Sequence, residues 1–97
     1  MSGIARSAPA DPWLLYVVEC VDGTLYTGIT NNLDRRLLQH NQGKACRYTR
    51  GRRPVTLCYL ETCGSQSAAL RRERQIKVLS REEKQRLIGD ATNRGRC

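Results

Sequence analysis

Glu73, His40, Arg36 and Gly28 are the residues of this chain whose types and spacing could do chemistry. Arg36 and His40 lie one helical turn apart in Leu33-Asp34-Arg35-Arg36-Leu37-Leu38-Gln39-His40, and His40 is the only histidine. The pair combines a planar donor fork suited to anions with the one side chain that titrates near neutral pH. Glu73 shares a helical stripe with Ala69, Ile76 and Ser80, so its carboxylate sits on a side that otherwise reads as core-facing. Such a carboxylate must be paired or bound to a cation. Arg36, Arg72 and Lys77 are the candidate partners for an ordinary ion pair. Gly28 stands inside Leu25-Tyr26-Thr27-Gly28-Ile29-Thr30, where glycine weakens a strand and often marks close approach of a ligand or another backbone. Tyr16 and Tyr26, on two β-rich segments, read first as strand aromatics.

A small set of elements must hold these residues. Trp13 to Val21 is nearly continuous in apolar, aromatic and β-branched residues, which predicts a strand buried on both faces. Asp22-Gly23 signals a hairpin, with Leu25 to Thr30 as the return strand. Loop parity then matters. A two-residue loop pairs Cys20 with Leu25 and puts Tyr16 and Tyr26 on opposite faces; a three-residue loop through Thr24 pairs Cys20 with Tyr26 and gathers Tyr16, Val18, Tyr26, Gly28 and Thr30 on one face. Asn31 or Asn32 caps a helix that runs to about Asn41 and ends before Gly43. Its stripe is Leu33, Arg36, Leu37 and His40.

Lys44 to Pro54 holds Lys44, Arg47, Arg50, Arg52, Arg53 and Tyr48 with no acid, the composition of a phosphate-tracking loop with Tyr48 as a stacking ring. Val55 to Thr62 reads as a third strand, broken by Cys63-Gly64-Ser65, and a helix follows from about Ser67 to Leu79. Ser80-Arg81-Glu82-Glu83 is a capping box that opens a last helix to Ile88. The expected organisation is a disordered lead-in over residues 1–12, one α/β (α+β) domain of order β-β-α-β-α-α over 13–88, and a flexible tail over 89–97.

Composition narrows the partners. Seventeen Lys and Arg against nine Asp and Glu give a net charge of +8 in 97 residues, the footprint of a polyanion binder. No apolar run approaches the ~20 residues of a membrane span and no secretory segment is evident, so the expectation is a cytoplasmic protein. The odd set of Cys20, Cys46, Cys58, Cys63 and Cys97 lacks a C-x-x-C pair, which fits reduced thiols. One histidine without paired cysteine ligands argues against structural zinc.

Taken in order, a tyrosine-bearing strand, a hairpin, a Tyr-x-Gly strand, a helix with arginine and a helix with glutamate resemble the GIY-YIG nuclease domain, in particular its small stand-alone bacterial members. The resemblance spans about Trp13 to Ile88 and rests on Leu14-Leu15-Tyr16, Leu25-Tyr26-Thr27-Gly28-Ile29-Thr30, Arg35-Arg36, Gln39-His40-Asn41 and Ala69-Leu70-Arg71-Arg72-Glu73. It implies a small central three-stranded, mainly antiparallel sheet flanked by helices, and phosphodiester cleavage in DNA with one divalent ion, Mg²⁺ or Mn²⁺. By position, Tyr16, Tyr26 and Gly28 match the motif residues, Arg36 the catalytic arginine and Glu73 the metal-binding glutamate. His40 stands where other members place tyrosine or histidine. Both motif tyrosines face the site in this family, which favours the three-residue hairpin.

Each role has a physical basis. Arg36 suits phosphate oxygens. Glu73 is a hard oxygen ligand. His40 is the preferred general base by its ordinary pKa, with Tyr16 as the alternative, and Gly28 would admit the substrate backbone. The first motif lacks its Gly and Ile, and Ile29 replaces a lysine found in some members. An endonuclease of repair or recombination is the leading expectation, as a monomer or weak homodimer that a protein partner could target; a non-catalytic nucleic-acid binding module on the same fold is the alternative.

Overall fold

Trp13–Cys20 forms strand β1, and its apolar run is explained by its place at the centre of the sheet. The computed structural model describes residues 12–95, so the expected lead-in lies outside the described residues apart from Pro12. After β1 come β2 (Leu25–Thr30), α1 (Leu33–Asn41), α2 (Arg47–Arg50), β3 (Val55–Gly64), α3 (Gln66–Lys77) and α4 (Arg81–Gly95). The sheet has three antiparallel strands in the order β2-β1-β3, as the family resemblance implies. Two expectations are corrected. The basic segment contains a one-turn helix, α2, and the last helix continues beyond Ile88 to Gly95.

With neighbours on both sides, β1 buries both faces. Leu15 and Val17 pack with Tyr59 and Ile76, against Leu79 in the link between α3 and α4 and Leu87 of α4. Tyr16, Val18 and Cys20 point the other way, against Val55, Tyr26 and the α1 residues Leu33 and Leu37. The chain has no phenylalanine, and these aliphatic and tyrosine side chains supply both clusters.

The hairpin has odd parity, but its loop is Val21-Asp22-Gly23, one residue earlier than the expected Asp22-Gly23-Thr24. Cys20 donates its N–H to Thr24 O at 2.8 Å, and Gly23 donates to Cys20 O at 2.9 Å. Gly23 adopts φ +85°, the left-handed position that closes such a loop. Asp22 Oδ1 accepts from the Thr24 N–H and hydroxyl at 3.1 and 2.7 Å, which holds Thr24 as the first residue of the return. Cys20 therefore faces Thr24 rather than Tyr26. The pairs are Val18 with Tyr26 and Tyr16 with Gly28, so the anticipated set still shares one face.

That register gives Gly28 a packing role. A Cβ built on Gly28 would lie 2.5 Å from Tyr16 Oη and 2.6 Å from its Cζ. The space a Cβ would take is filled by the Tyr16 phenol, so Gly28 accommodates a neighbouring side chain. Substituting Gly28→Ala should destabilise the fold by about 1–3 kcal/mol, the usual range for overpacking a filled site. Urea denaturation checks this; unchanged stability would show that the phenol moves aside freely.

Candidate functional site

Tyr16 Oη lies 2.8 Å from His40 Nε2, and this buried contact is the centre of the site. Tyr16 arrives from the middle of β1, held over Gly28, while His40 arrives from the last turn of α1. Helix α1 is fixed at both ends. At its start Asn32 accepts the Arg35 N–H at 3.1 Å, and Thr30 Oγ1 accepts the Asn32 N–H at 3.0 Å. At its end Asn41 Oδ1 accepts the Val55 N–H at 2.8 Å, which ties the helix to β3. His40 is only 1% exposed. Its ring meets Tyr16 and Tyr26 edge-on, with centroids 5.7 and 5.5 Å away. Its other nitrogen, Nδ1, lies 2.8 Å from Oγ1 of fully buried Thr49 on α2.

Arg36 precedes His40 by one turn, and its charge acts on Tyr16, Tyr26 and His40. Its Nε is buried and has no hydrogen-bond partner among the described residues. Buried guanidinium donors are normally satisfied, so this nitrogen is an exception. Arg36 also lines a cleft of about 220 Å³ with Thr30, Asn31, Asn32, Arg35 and Gln39.

Glu73 comes from α3, and its charge is felt by both Tyr16 and Tyr26. Its rotation has a visible cause. Arg72 grips Glu61 on β3 with two bonds of 2.9 Å, and Tyr59 donates its hydroxyl to the same carboxylate. With Arg72 directed to β3, the next residue turns toward the tyrosines. The side chain of Glu73 is 18% exposed and pairs with Lys77 Nζ at 3.3 Å, while Lys77 also lies 5.9 Å from the Tyr26 ring centre. Of the ion-pair partners considered for Glu73, Lys77 is the one in contact. No group of three His, Cys, Asp or Glu side chains that could cage a metal occurs among the described residues. A single carboxylate suits an ion of the Mg²⁺ type, which keeps several waters and takes phosphate oxygens from its substrate.

The basic segment is partly committed to structure. Arg52 Nε pairs with Asp22 at 3.1 Å, its Nη1 donates to Tyr48 O at 2.6 Å, and its guanidinium lies 4.3 Å from the Tyr48 ring centre. Arg53 donates to Arg50 O at 2.8 Å and lies against Gly43. Tyr48 stacks on Tyr26 at 5.6 Å, so the ring expected to receive a base is already engaged within the chain. Lys44, Arg47 and Arg50 are exposed. The sequence reading missed Thr49 and Cys46, whose Sγ is 3.4 Å from Thr49 Oγ1. Thr49 carried no signal there, because a threonine inside an arginine-rich segment reads as solvated.

Residues 12–86 match the family model described as the GIY-YIG catalytic domain. The chain is 51% identical to the UPF0213 protein NP_0776A of Natronomonas pharaonis over 78 residues, 80% of this chain and 92% of that one. It is similar to the solution NMR structure of the UPF0213 protein BH0048 from Bacillus halodurans, with 42% identity, a TM-score of 0.52 and coverage of 79% and 82%. The NMR structure of EF2693 from E. faecalis is similar at 34% identity and a TM-score of 0.57, covering 84% of this chain and 88% of the other.

The electrostatics of the centre follow from burial. Burial pushes the Tyr16 phenol far above its usual range, and the Tyr26 phenol is pushed up to about 12, first by burial and then by the neighbouring Cys46 thiol. Both therefore stay protonated at neutral pH. Burial, helped by Arg36, lowers His40 below its ordinary value. The unfolded chain then binds a proton at a pH where the folded chain does not, so stability falls as pH drops below ~6.5 and stops falling below the folded value. In an NMR titration, His40, the only histidine, should show a midpoint below ~6.5. Replacing it by glutamine should flatten the loss of stability over this window; a midpoint at or above the ordinary value would contradict the burial account.

Proposed function

The chain belongs to the GIY-YIG family, a nuclease family, and on that premise we propose that it is an endonuclease that hydrolyses phosphodiester bonds in DNA with the help of Mg²⁺ or Mn²⁺. The observation that carries the reading is the Tyr16–His40 contact together with Arg36, whose charge acts on both and which lines a cleft at the start of α1. Hydrolysis needs charge relief at phosphorus, a proton acceptor for the attacking water, and stabilisation of the departing alkoxide. Arg36 supplies the first as a donor fork, reaching a scissile phosphate oxygen from the cleft it lines.

The Tyr16–His40 pair serves as the acceptor. As water attacks, its proton passes to Tyr16 Oη while the phenol proton moves to His40 Nε2, so no free phenolate is needed at a group whose pKa is so high. The His40 and Tyr16 alternatives thereby become one unit, because Nε2 of His40 faces Tyr16 Oη and its Nδ1 faces Thr49 Oγ1, so the imidazole reaches the water only through the phenol. Tyr26, protonated and partly exposed, can donate to the phosphate or to the water. A divalent ion on Glu73 would supply Lewis acidity to the phosphoryl oxygens and the departing group. Lys44, Arg47 and Arg50 would track the flanking phosphates.

A cleavage panel of plasmid, flap, branched and single-stranded DNA under Mg²⁺ and Mn²⁺ tests the proposal. Arg36→Ala should lower the rate by roughly 10²–10³-fold and Tyr16→Phe by roughly 10²–10⁴-fold, while Glu73→Ala or chelation should bring it to background. Salt-sensitive DNA binding without cleavage of any substrate would leave only a binding module.

A further inference from the structure

We infer that Thr49 is a positioning residue that sets the tautomer of His40, placing the ring proton on Nδ1 and leaving Nε2 as the acceptor facing Tyr16. The inference deepens the proposed function, because it explains how a buried imidazole is made ready to take the Tyr16 proton. It stands on three contacts. His40 Nε2 is 2.8 Å from Tyr16 Oη, His40 Nδ1 is 2.8 Å from Thr49 Oγ1, and Thr49 Oγ1 is 3.4 Å from Cys46 Sγ.

A neutral imidazole carries one ring proton, and each flanking hydroxyl can donate or accept, so two proton arrangements fit these distances. In the first, Tyr16 donates to Nε2, Nδ1–H donates to Thr49, and the Thr49 hydroxyl donates to the Cys46 sulfur. Both hydroxyl protons and the ring proton have an acceptor. In the second, Nε2–H donates to Tyr16 and Thr49 donates to Nδ1, which leaves the Tyr16 hydroxyl proton without a partner among the described residues. Tyr16 is 2% exposed, so that orphaned proton is penalised. The first arrangement is therefore selected, and it requires an acceptor at Nδ1.

Thr49 is the residue that provides one. It is fully buried, in a helix of four residues whose other three members are exposed. The sulfur at the far end of the chain of bonds lies where it can accept the Thr49 hydroxyl. Burial works to raise the Cys46 thiol, but hydrogen bonds from the Thr49 side chain and backbone, with Tyr26 and Tyr48, outweigh it and hold the thiol below its ordinary value. The short helix thus turns one side chain inward from the basic segment, linking the surface that would meet phosphate to the ring that would receive the proton.

The single histidine makes the test direct. In ¹⁵N-detected NMR of the full chain at neutral pH, Nε2 should show the shift of an unprotonated ring nitrogen and Nδ1 that of a protonated one. Thr49→Val removes the acceptor while keeping the shape; it should raise the share of the Nε2–H form and lower kcat by roughly 10–100-fold with little change in KM, the usual range for losing a partner that orients a functional histidine. Thr49→Ser should restore both. A wild-type spectrum with the proton on Nε2 overturns the inference, as does a folded valine variant with unchanged tautomer. The wild-type spectrum decides even if the valine variant does not fold. Absence of cleavage together with the Nδ1–H tautomer would sink the nuclease reading and leave the assignment of Thr49 standing.

Discussion

A phenol buried over a glycine and hydrogen-bonded to a buried imidazole is the constraint on which the rest of this structure depends. Tyr16 and His40 are polar groups almost wholly withdrawn from bulk solvent, and such groups are tolerated only when their hydrogen bonds are made. Meeting that requirement demands a specific register between β1 and β2, because only a glycine directly opposite Tyr16 leaves room for the ring. It also demands that the end of α1 be held at a fixed height above the sheet, which Asn41 does by bonding to the β3 backbone. The hairpin, the cap and the clamp on β3 converge on one contact 2.8 Å long.

Charge is distributed around this centre in two ways. Some cations are committed inside the fold. Arg72 holds Glu61 and thereby orients α3, while Arg52 binds the hairpin through Asp22 and lies against Tyr48. The hydrogen bonds from Arg72 hold the Glu61 carboxyl below its usual range against the opposing effect of burial. Arg36 differs. Its Nε is buried without a partner among the described residues. Glu73 carries the complementary charge on the opposite helix, paired with Lys77.

Much of the fold was legible in advance because its signals are local. The apolar run of β1 marked a central strand, Asn32 and Ser80 marked helix starts, and the Ser80–Glu83 box closes reciprocally at 2.8 and 3.1 Å. Local signals fail by small shifts. The hairpin loop begins one residue early because Gly23, not Thr24, takes the left-handed turn position. The basic segment was read as an open arm on composition, but arginine side chains are long enough to fold back on the backbone, and Arg52 and Arg53 do so.

By itself the sequence determined the order of the main elements and the identity of the ionisable residues; it left two hairpin parities open, and the family resemblance chose the one that gathers the tyrosines on one face. Tertiary structure alone decided what those residues touch. Gly28 accommodates the Tyr16 ring, Lys77 meets Glu73, and Thr49 reaches His40. The Gly28 and Thr49 contacts join segments whose approach is set by the packing of whole elements, to a fraction of an ångström, and no pattern along the chain carries that distance. Lys77 lies one turn from Glu73 on the same helix, a local spacing the sequence already offers, and of the partners read from the sequence it is the one in contact.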